Sequence, residues 1–483
     1  MASSIHMPQW LRRRIGGSRW VAVLVATVGL GSSVACAQTV LVDPEGASGD
    51  LFGVSISVSD QWLHAGAMWD DTLAGPDRGS VLAFERVAEH WVFRQRLEAP
   101  ESVEGDYFGN AVAFDGDTVL VGAYHTTIEG EVSQGAAHIF VRDGSSWTHL
   151  QRLLVADGQA DDYAGASVAI EGDTAVVCAR YDDNGSVLDQ GSASIFKRGA
   201  SGQWKQTQKL VAPEGAMHDS FGFHCAISEG ILAIGANWDD LPGAVDQGSV
   251  HIFAPDAAGM YQHVQRVTAT DGEGHQEFGI RVALSGSVLA VGAPGSTVDG
   301  LSACGAVYIF SRSTSGVWTQ RAKIVAPDRA AFDQFASGLS LAPGVLAVGA
   351  WAADMPDRPD CGRLYSVRRA LDGSWTRFDS WSADAATPAG AAGAFLGTAV
   401  ATLPGRLIGG AYSAPVSGSL ERGCVADFAG VRGEDLNGDG TISGADLGEM
   451  LARWGSTEPT CADIDFSGTV DGRDLALMLA AWQ

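Results

Sequence analysis

Two acidic stretches near the C-terminus have the residue types and the spacing that bind calcium. Residues 435–446 read DLNGDGTISGAD, and residues 463–474 read DIDFSGTVDGRD. Calcium takes six to eight oxygen ligands, and a 12-residue loop supplies them at alternate positions around a glycine that allows a sharp bend. We therefore predict two calcium ions, one in each loop. The predicted ligands are Asp435, Asn437, Asp439, the Thr441 carbonyl, Ser443 and Asp446 in the first loop, and Asp463, Asp465, Ser467, the Thr469 carbonyl, Asp471 and Asp474 in the second.

The residues that follow each loop predict a helix that would support it. Apolar residues recur there with the i, i+3, i+4, i+7 spacing of one helix face. They are Leu447, Met450, Leu451 and Trp454 after the first loop, and Leu475, Met478, Leu479 and Trp482 after the second. We expect the two apolar faces to pack together, so that residues 431–483 form a small α calcium-binding loop–helix pair.

This duplicated loop–helix unit, with no helix before either loop and with Asp at the twelfth loop position, resembles a dockerin type I module. The resemblance implies that the module plugs into a cohesin-like domain of a scaffold or surface protein, often in assemblies that degrade polysaccharides. The chain departs from many cohesin-binding dockerins at loop positions 10 and 11. It has Gly444-Ala445 and Gly472-Arg473 where those modules carry a Ser-Thr-like pair.

Most of the remaining chain consists of seven copies of one unit. In each copy an alanine ends a short apolar stretch, and a glycine 12 residues later opens the next one. The alanines are Ala67, Ala123, Ala179, Ala236, Ala293, Ala350 and Ala411, and the glycines are Gly79, Gly135, Gly191, Gly248, Gly305, Gly362 and Gly423. Each unit has four stretches rich in β-branched and aromatic residues, separated by turn residues. Four strands in a repeat of about 56 residues are typical of a propeller blade, so we predict an all-β, seven-bladed β-propeller over residues 38–430.

The last copy has no aromatic fourth strand of its own, and the start of the region offers a replacement. Residues 38–46, QTVLVDPEG, match residues 208–215, QKLVAPEG, which end a fourth strand and lead into the next blade. An unpaired sheet edge at this seam would be open to other chains. We therefore predict that residues 38–44 complete the seventh blade and close the ring.

The repeated segment, of which Asp106-Tyr107-Phe108-Gly109 is one copy, resembles FG-GAP repeats, the blades of the integrin α head. The resemblance covers residues 46–428 and implies a propeller that binds a ligand, as in cell adhesion. Integrin-type blades often hold calcium in a loop between their first two strands. Here that connection is a short turn such as Glu171-Gly172-Asp173 or Ser285-Gly286-Ser287, so we expect no calcium in the blades.

Residues 1–37 have the pattern of a secretory signal peptide. Three arginines at positions 12–14 precede an apolar run, and the sequence predicts cleavage after Ala37. No later stretch is apolar over the length of a membrane span, so we expect a secreted or cell-surface protein without a transmembrane span. The six cysteines that remain after cleavage would then lie in an oxidising compartment. The pairs Cys178–Cys225, Cys304–Cys361 and Cys424–Cys461 all remain open, as do free buried thiols.

The net charge argues against nucleic-acid binding, and the missing catalytic motifs argue against an enzyme. The chain has 57 acidic against 31 basic residues, a formal net charge of −26, and a nucleic-acid surface would require the opposite balance. No G-x-S-x-G, H-E-x-x-H or Gly-Lys phosphate-loop pattern occurs. We therefore predict a secreted, non-catalytic binding or adhesion protein whose propeller is a ligand-binding or scaffold domain. The alternative is an enzyme or accessory subunit of extracellular polysaccharide breakdown, acting on O-glycosyl bonds and recruited through the dockerin-like module.

Three of the 12-residue connections carry an aromatic residue followed by two acids: Trp69-Asp70-Asp71, Tyr181-Asp182-Asp183 and Trp238-Asp239-Asp240. On one rim of a propeller they suit contact with a glycan or an extracellular protein. They also suit a purely structural role, with the acids capping turns and the aromatics covering blade edges. The histidines are scattered singly in the sequence and are expected to be structural. Carboxylates gathered with Tyr or His at a mouth of the central channel would favour the enzyme, and a channel without them would favour binding.

Overall fold

The computed structural model describes residues 38–72, 75–88, 90–369, 373–403, 406–429, 444–455 and 470–481. In these ranges 28 strands form seven antiparallel sheets of four strands each, so the predicted seven-bladed propeller is confirmed. The strands follow one another within a blade in chain order, from the central channel outwards. The predicted signal peptide lies outside the described residues.

The seven blades are numbered in chain order. Blades 1 to 3 contain β2 (Phe52–Val58), β3 (Trp62–Ala67), β4 (Ser80–Val87) and β5 (His90–Leu97); β6 (Val112–Asp115), β7 (Thr118–Ala123), β8 (Ala136–Asp143) and β9 (Ser146–Leu153); and β10 (Ala164–Glu171), β11 (Thr174–Ala179), β12 (Ser192–Arg198) and β13 (Trp204–Leu210). Blades 4 to 6 contain β14 (Phe221–Ser228), β15 (Ile231–Ala236), β16 (Ser249–Pro255) and β17 (Tyr261–Val267); β18 (Arg281–Ser285), β19 (Val288–Ala293), β20 (Ala306–Arg312) and β21 (Trp318–Ile324); and β22 (Phe335–Ala342), β23 (Val345–Ala350), β24 (Arg363–Arg369) and β25 (Trp375–Trp381). Blade 7 contains β26 (Val400–Leu403), β27 (Arg406–Ala411), β28 (Cys424–Ala429) and β1 (Gln38–Leu41).

The ring is closed by the first strand of the described chain. Strand β1 pairs antiparallel with β28, from Gln38 opposite Phe428 to Leu41 opposite Val425. It thus supplies the outer strand of blade 7, as predicted. The seam is also tied across to blade 1, because the buried Trp91 indole donates a hydrogen bond to Asp427 at 3.1 Å.

The second strand of every blade is buried on both faces, which explains its uninterrupted apolar sequence. Neighbouring blades approach so closely there that a side chain would not fit at several positions. A Cβ on Gly122, for example, would lie 2.0 Å from the Gly165 carbonyl oxygen of the next blade. Glycine is therefore required by packing at this contact.

Four glutamine side chains clamp one blade to the next. Each amide donates to the backbone oxygen, and accepts from the backbone N–H, of the aromatic residue that opens the next blade's fourth strand, at 2.7–2.9 Å. The pairs are Gln95 with Trp147, Gln151 with Trp204, Gln208 with Tyr261 and Gln265 with Trp318. These aromatic rings are buried, so the sequence pattern that marked the fourth strand is a packing feature.

The strand register places two kinds of connection at opposite ends of each blade. In blade 3, Ala164 lies opposite Ala179, whereas Glu171 lies opposite Thr174 at the other end. The 12-residue connections and the links between blades therefore share one face, which we call the long-loop face. The short turns between first and second strands lie on the opposite face. The first strands surround a central channel of about 640 Å³.

Two helices follow the predicted calcium loops, α1 (Gly444–Ala452) and α2 (Gly472–Ala481), and they contact each other. Met450 and Met478 of the predicted apolar faces are buried, whereas Leu451, Trp454 and Leu479 are about half exposed. The expected packing thus holds for part of each face only, and Trp482 lies outside the described residues. Neither described helix has the length and apolar character needed to cross a membrane.

Candidate functional site

Seven aromatic side chains form a continuous curved row on the long-loop face. We call this row the aromatic arc; its members are Trp69, Tyr107, Tyr124, His125, Tyr163, Tyr181 and Trp238. Successive ring centroids lie 4.9–6.2 Å apart, from Trp69 in blade 1 to Trp238 in blade 4. All seven are partly exposed. The arc is thus an accessible surface with an apolar face and polar edges.

Two of these rings stand on a backbone conformation that the repeat imposes. Tyr107 and Tyr163 have positive φ angles of 56° and 58°. The equivalent residues of other blades have the same conformation with other side chains, as in Ser220 (54°) and Glu277 (57°). The unusual backbone therefore belongs to the scaffold, whereas the tyrosines are particular to blades 2 and 3.

Arg180 lies among the rings of the arc. Its guanidinium carbon is 5.0 Å from the centroid of Tyr181, 5.1 Å from Phe223, 5.8 Å from Tyr163 and 5.9 Å from Tyr124. No carboxylate of the described residues forms an ion pair with it, and its buried Nε has no hydrogen-bond partner. Cation–π contacts hold the side chain in place and leave its hydrogen-bonding groups available.

Arg180 also lines the central channel, so the arc and the channel meet at this residue. The channel walls consist mainly of Val, Ile, Leu, Ala and Ser, and their charged side chains are Arg180 and Arg281. Burial and the charge of Arg180 lower the pKa of Arg281 to about 10, which still leaves it positively charged at neutral pH. No Asp or Glu occurs among the described residues that line the channel.

The acids of the three aromatic-acid-acid motifs have a structural role, as in the interpretation that they cap turns. The first acids, Asp70, Asp182 and Asp239, are buried and accept hydrogen bonds from Ser80, Ser192 and Ser249. Each also pairs with a base of the fourth strand, namely Arg96, Lys209 and Arg266. The second acids accept backbone N–H groups six residues later, as Asp183 does from Asp189 at 2.9 Å. The buried first acids are therefore not accessible to a ligand.

A further set of aspartates caps the links between blades. Asp162 accepts the backbone N–H of Gln159 at 2.6 Å, and Asp219 that of Ala216 at 2.5 Å. Burial, reinforced by the charge of the nearby Asp182, raises the pKa of Asp162 to about 7. Burial likewise raises the pKa of Asp219 to about 6. These titrations belong to the scaffold, because the carboxylates are already bonded to backbone groups.

At the seam, three buried carboxylates converge that the sequence reasoning did not connect: Asp43, Asp50 and Asp70. One oxygen of each lies within 4.8 Å of the others, a spacing that a metal ion would tolerate. Arg96 already pairs with Asp43 and Asp70, and Asp50 accepts the backbone N–H of Ala47. The group is thus a buried ionic network that ties the link into blade 1.

Four histidines that are separate in sequence form two pairs in the structure. His138 and His149 of blade 2 lie 3.1 Å apart between ring nitrogens, as do His251 and His263 of blade 4. These four residues are thus paired in space although each is isolated in the sequence. Burial lowers the pKa of His138 and of His251 to about 3, so both are neutral and structural at neutral pH.

Most predicted calcium ligands lie outside the described residues: Asp435, Asn437, Asp439, Thr441, Ser443, Asp463, Asp465, Ser467 and Thr469. The described ones are Asp446, Asp471 and Asp474. The twelfth-position side chains Asp446 and Asp474 are buried, and Asp474 accepts the backbone N–H of Asp471 at 2.8 Å. Each thus begins its helix beside the predicted loop.

The five described cysteines are buried free thiols: Cys178, Cys225, Cys304, Cys361 and Cys424. Cys304 and Cys361 do not form a disulfide, because each thiol points back to a carbonyl of its own connection, Ser296 and Ala353 respectively. Cys178 lies beside Cys225, and the hydrogen bond between their thiols, together with burial, raises the pKa of Cys178. The Cys225 sulfur also lies 3.6 Å from the Ser167 hydroxyl. Cys461 lies outside the described residues.

Sequence reasoning identified three members of the arc, Trp69, Tyr181 and Trp238, and missed its other members and both channel arginines. A signal for three of the missed residues was present in the repeat alignment. Tyr107 and Tyr163 directly precede the Phe-Gly or Ala-Gly pair, and Arg180 directly follows the closing alanine. Residues at those positions change from blade to blade, which distinguishes them from the repeated core.

Six stretches of the chain match the FG-GAP repeat family: residues 31–84, 91–140, 147–196, 204–253, 261–310 and 318–367. The first stretch contains β1 followed by β2–β4, so the family repeat itself treats β1 as the outer strand of a preceding blade. No curated protein matches the chain. Because the six stretches span well over half of the sequence and each fits one blade period of the structure, the chain belongs to the FG-GAP repeat family.

Proposed function

We propose that this protein is a secreted, non-catalytic binding protein whose propeller holds a glycan against the aromatic arc. The observation that carries the proposal is the run of seven partly exposed rings, three of which contact Arg180. The C–H faces of sugar rings stack on aromatic rings, while their hydroxyls need polar groups at the ring edges. The arc offers both over a length that extends across four blades.

The chemistry of the channel favours binding over hydrolysis. Glycoside hydrolysis uses two carboxyl groups on either side of the scissile bond. Among the described residues of the channel wall there is neither Asp nor Glu, and the buried acids that follow Tyr181 and Trp238, Asp182 and Asp239, are already bonded to serine, lysine or arginine. The enzyme alternative therefore has no specific observation in its favour.

Binding to an array of glycans tests the proposal, followed by titration calorimetry with the best ligand. The variants Tyr181→Ala and Trp238→Ala should each weaken binding by about tenfold, since each removes a stacking surface. Phe332→Ala is the matched control, because Phe332 is an exposed aromatic that contacts no ring of the arc. Equal affinity in all variants, or no glycan bound at all, would contradict the proposal.

We further propose that residues 431–483 form a calcium-dependent docking module that tethers the propeller to a partner or surface protein. The alternate oxygen-bearing residues of the two loops and the burial of Asp446 and Asp474 support it. Ligands that bind only the folded state raise its stability in proportion to the logarithm of their concentration. Calorimetry of the full chain should find two calcium ions, and Asp435→Ala and Asp463→Ala should each remove one.

The docking part of this proposal has its own test. Cohesin-like domains and extracellular surface fractions would be screened with the full chain in calcium and in chelator. Calcium-dependent capture that is lost in the double variant Asp435→Ala/Asp463→Ala would support it. Calcium binding without any partner would leave the metal sites standing and overturn the docking role.

A further inference from the structure

The charged residues are distributed unevenly between the channel and the rest of the protein. The sequence has 57 acidic residues, and yet none of the described residues lining the channel is acidic. The same lining has two arginines, Arg180 and Arg281. The charged residues of the channel lining are therefore opposite in sign to the net charge of the protein.

The two arginines are not required by the repeat. The residues equivalent to Arg180 in the other blades are Met68, Tyr124, Asn237, Pro294, Trp351 and Tyr412, and those equivalent to Arg281 are Ser55, Ala111, Ser167, His224, Gly338 and Ala399. Small, polar and aromatic side chains thus all satisfy the fold at these positions. The arginines add something other than blade stability.

Neither arginine is neutralised within the described chain. Arg96, Arg198 and Arg266 each pair with an aspartate. Arg180 has aromatic contacts only, and Arg281 donates one hydrogen bond to the Ile280 carbonyl at 3.0 Å. Burial, and after it the charge of Arg180, lowers the pKa of Arg281. Two uncompensated guanidinium groups in a partly enclosed site are stabilised by an anion.

We infer that the arc and the channel entrance together bind an anionic saccharide, whose sugar rings stack on the arc while a carboxylate or sulfate group is held by Arg180 and Arg281. This inference rests on the proposed glycan-binding function and adds the charge of the ligand. Guanidinium groups match the planar carboxylate and the sulfate oxygens with paired hydrogen bonds. A channel of about 640 Å³ lies within the usual size of a small-molecule site.

The rings around Arg180 explain why it can act in this way. Four aromatic rings between 5.0 and 5.9 Å away fix the guanidinium without using its N–H groups. A side chain held in place before binding loses less conformational entropy when the ligand arrives. Lysine at the same position would keep the charge but lose the planar fork and part of the stacking.

The test compares matched charged and neutral probes by calorimetry with the full chain. The pairs are trigalacturonate with its methyl ester, and dextran sulfate with dextran, so the carboxylate and sulfate sources are distinguished. We expect one acidic probe to bind at least about tenfold more tightly than its neutral partner. Arg180→Gln and Arg281→Gln should each remove that advantage, read as the ratio of the two affinities, and Arg180→Lys should retain part of it.

Arg198→Gln is the control, because Arg198 lies in the same blade and over the Trp204 ring but at the opposite face. It should bind all probes as the parent protein does, and circular dichroism checks that every variant is folded. Equal binding of charged and neutral probes overturns the inference and leaves the proposed function standing, as does an acidic preference that survives both glutamine variants. Failure of all probes on the parent protein overturns both.

Discussion

Blades 3 and 5 have nearly the same backbone and very different surfaces. In both, the connection after the closing alanine begins with a turn. The backbone N–H of Asp182 donates to the Ala179 carbonyl at 3.3 Å, and that of Ser296 donates to the Ala293 carbonyl at 3.2 Å. Blade 3 places Arg180-Tyr181 in that turn, whereas blade 5 places Pro294-Gly295. The repeat therefore fixes where a side chain stands and leaves its chemistry free to change.

The difference also limits where the arc can extend. A Cβ on Gly295 would lie 2.3 Å from the His275 carbonyl oxygen, so an aromatic residue there requires the backbone to move. Aromatic contacts resume in blades 6 and 7. The ring centroid of Phe395 lies 4.9 Å from that of Trp351 and 5.7 Å from that of Tyr412. Blade 5 thus separates two aromatic groups, and only the first contains an arginine.

The largest expected effect tests whether the two blades share one scaffold. Trp204→Ala in blade 3 and Trp318→Ala in blade 5 each empty a buried site, and each should lower the free energy of unfolding by about 3–5 kcal/mol. Urea denaturation measures both. Losses that differ by more than about 2 kcal/mol would show that the blades are not equivalent supports.

A swap of the variable residues tests whether the surfaces differ in function. The double variant Arg180→Pro/Tyr181→Gly gives blade 3 the sequence of blade 5 at these two positions. It removes one ring and one guanidinium, so affinity for the glycan ligand should fall by about tenfold to a hundredfold. Calorimetry gives the affinity, and the melting temperature should change little. Full affinity in the folded variant would place the ligand elsewhere.

The glutamine clamps give a smaller effect that should again be equal in both blades. Gln151→Ala and Gln265→Ala each remove two hydrogen bonds, to the backbone of Trp204 and of Trp318 respectively. Each should cost about 1–2 kcal/mol of stability, since a buried backbone donor and acceptor lose their partner. Gln262→Ala is a control at the surface, where the side chain bonds only to the exposed Asp256. A loss as large in the control would show that the clamp contributes nothing specific.

The last prediction concerns the pH dependence that Asp162 gives to blade 3; Gln276 stands at the equivalent position of blade 5. Because the pKa of Asp162 is raised from 3.8 to about 7, the folded state retains a proton that the unfolded chain releases. Stability should therefore fall as pH rises from about 4 to about 7. Asp162→Asn should flatten this decline, which urea midpoints at several pH values would measure. Asp219 adds a similar decline in the parent protein and in Asp162→Asn, so the difference between their curves of stability against pH isolates Asp162. Parallel curves would refute the raised pKa of Asp162.

Most of the fold could be predicted from the sequence because a propeller repeats its packing requirements. The seven closing alanines mark a buried strand, and the match of residues 38–46 to 208–215 located the closing strand. The arc was harder, since Tyr163 and Tyr181 belong to different connections and meet only because the strand register places Ala164 opposite Ala179. Arg281 gave no sequence signal, because its importance comes from the absence of nearby acids in three dimensions.

The pairing of β1 with β28 has a consequence for how the protein is made. A ribosome delivers β1 before any blade and β28 after six of them, so the closing strand waits unpaired while almost the whole ring is synthesised. Contacts this distant in sequence form slowly. During that interval the β1 of one chain can pair with the β28 of another, which would yield strand-exchanged dimers and higher oligomers. Dilute, slow refolding should then favour monomeric rings, and crowded refolding should favour linked ones.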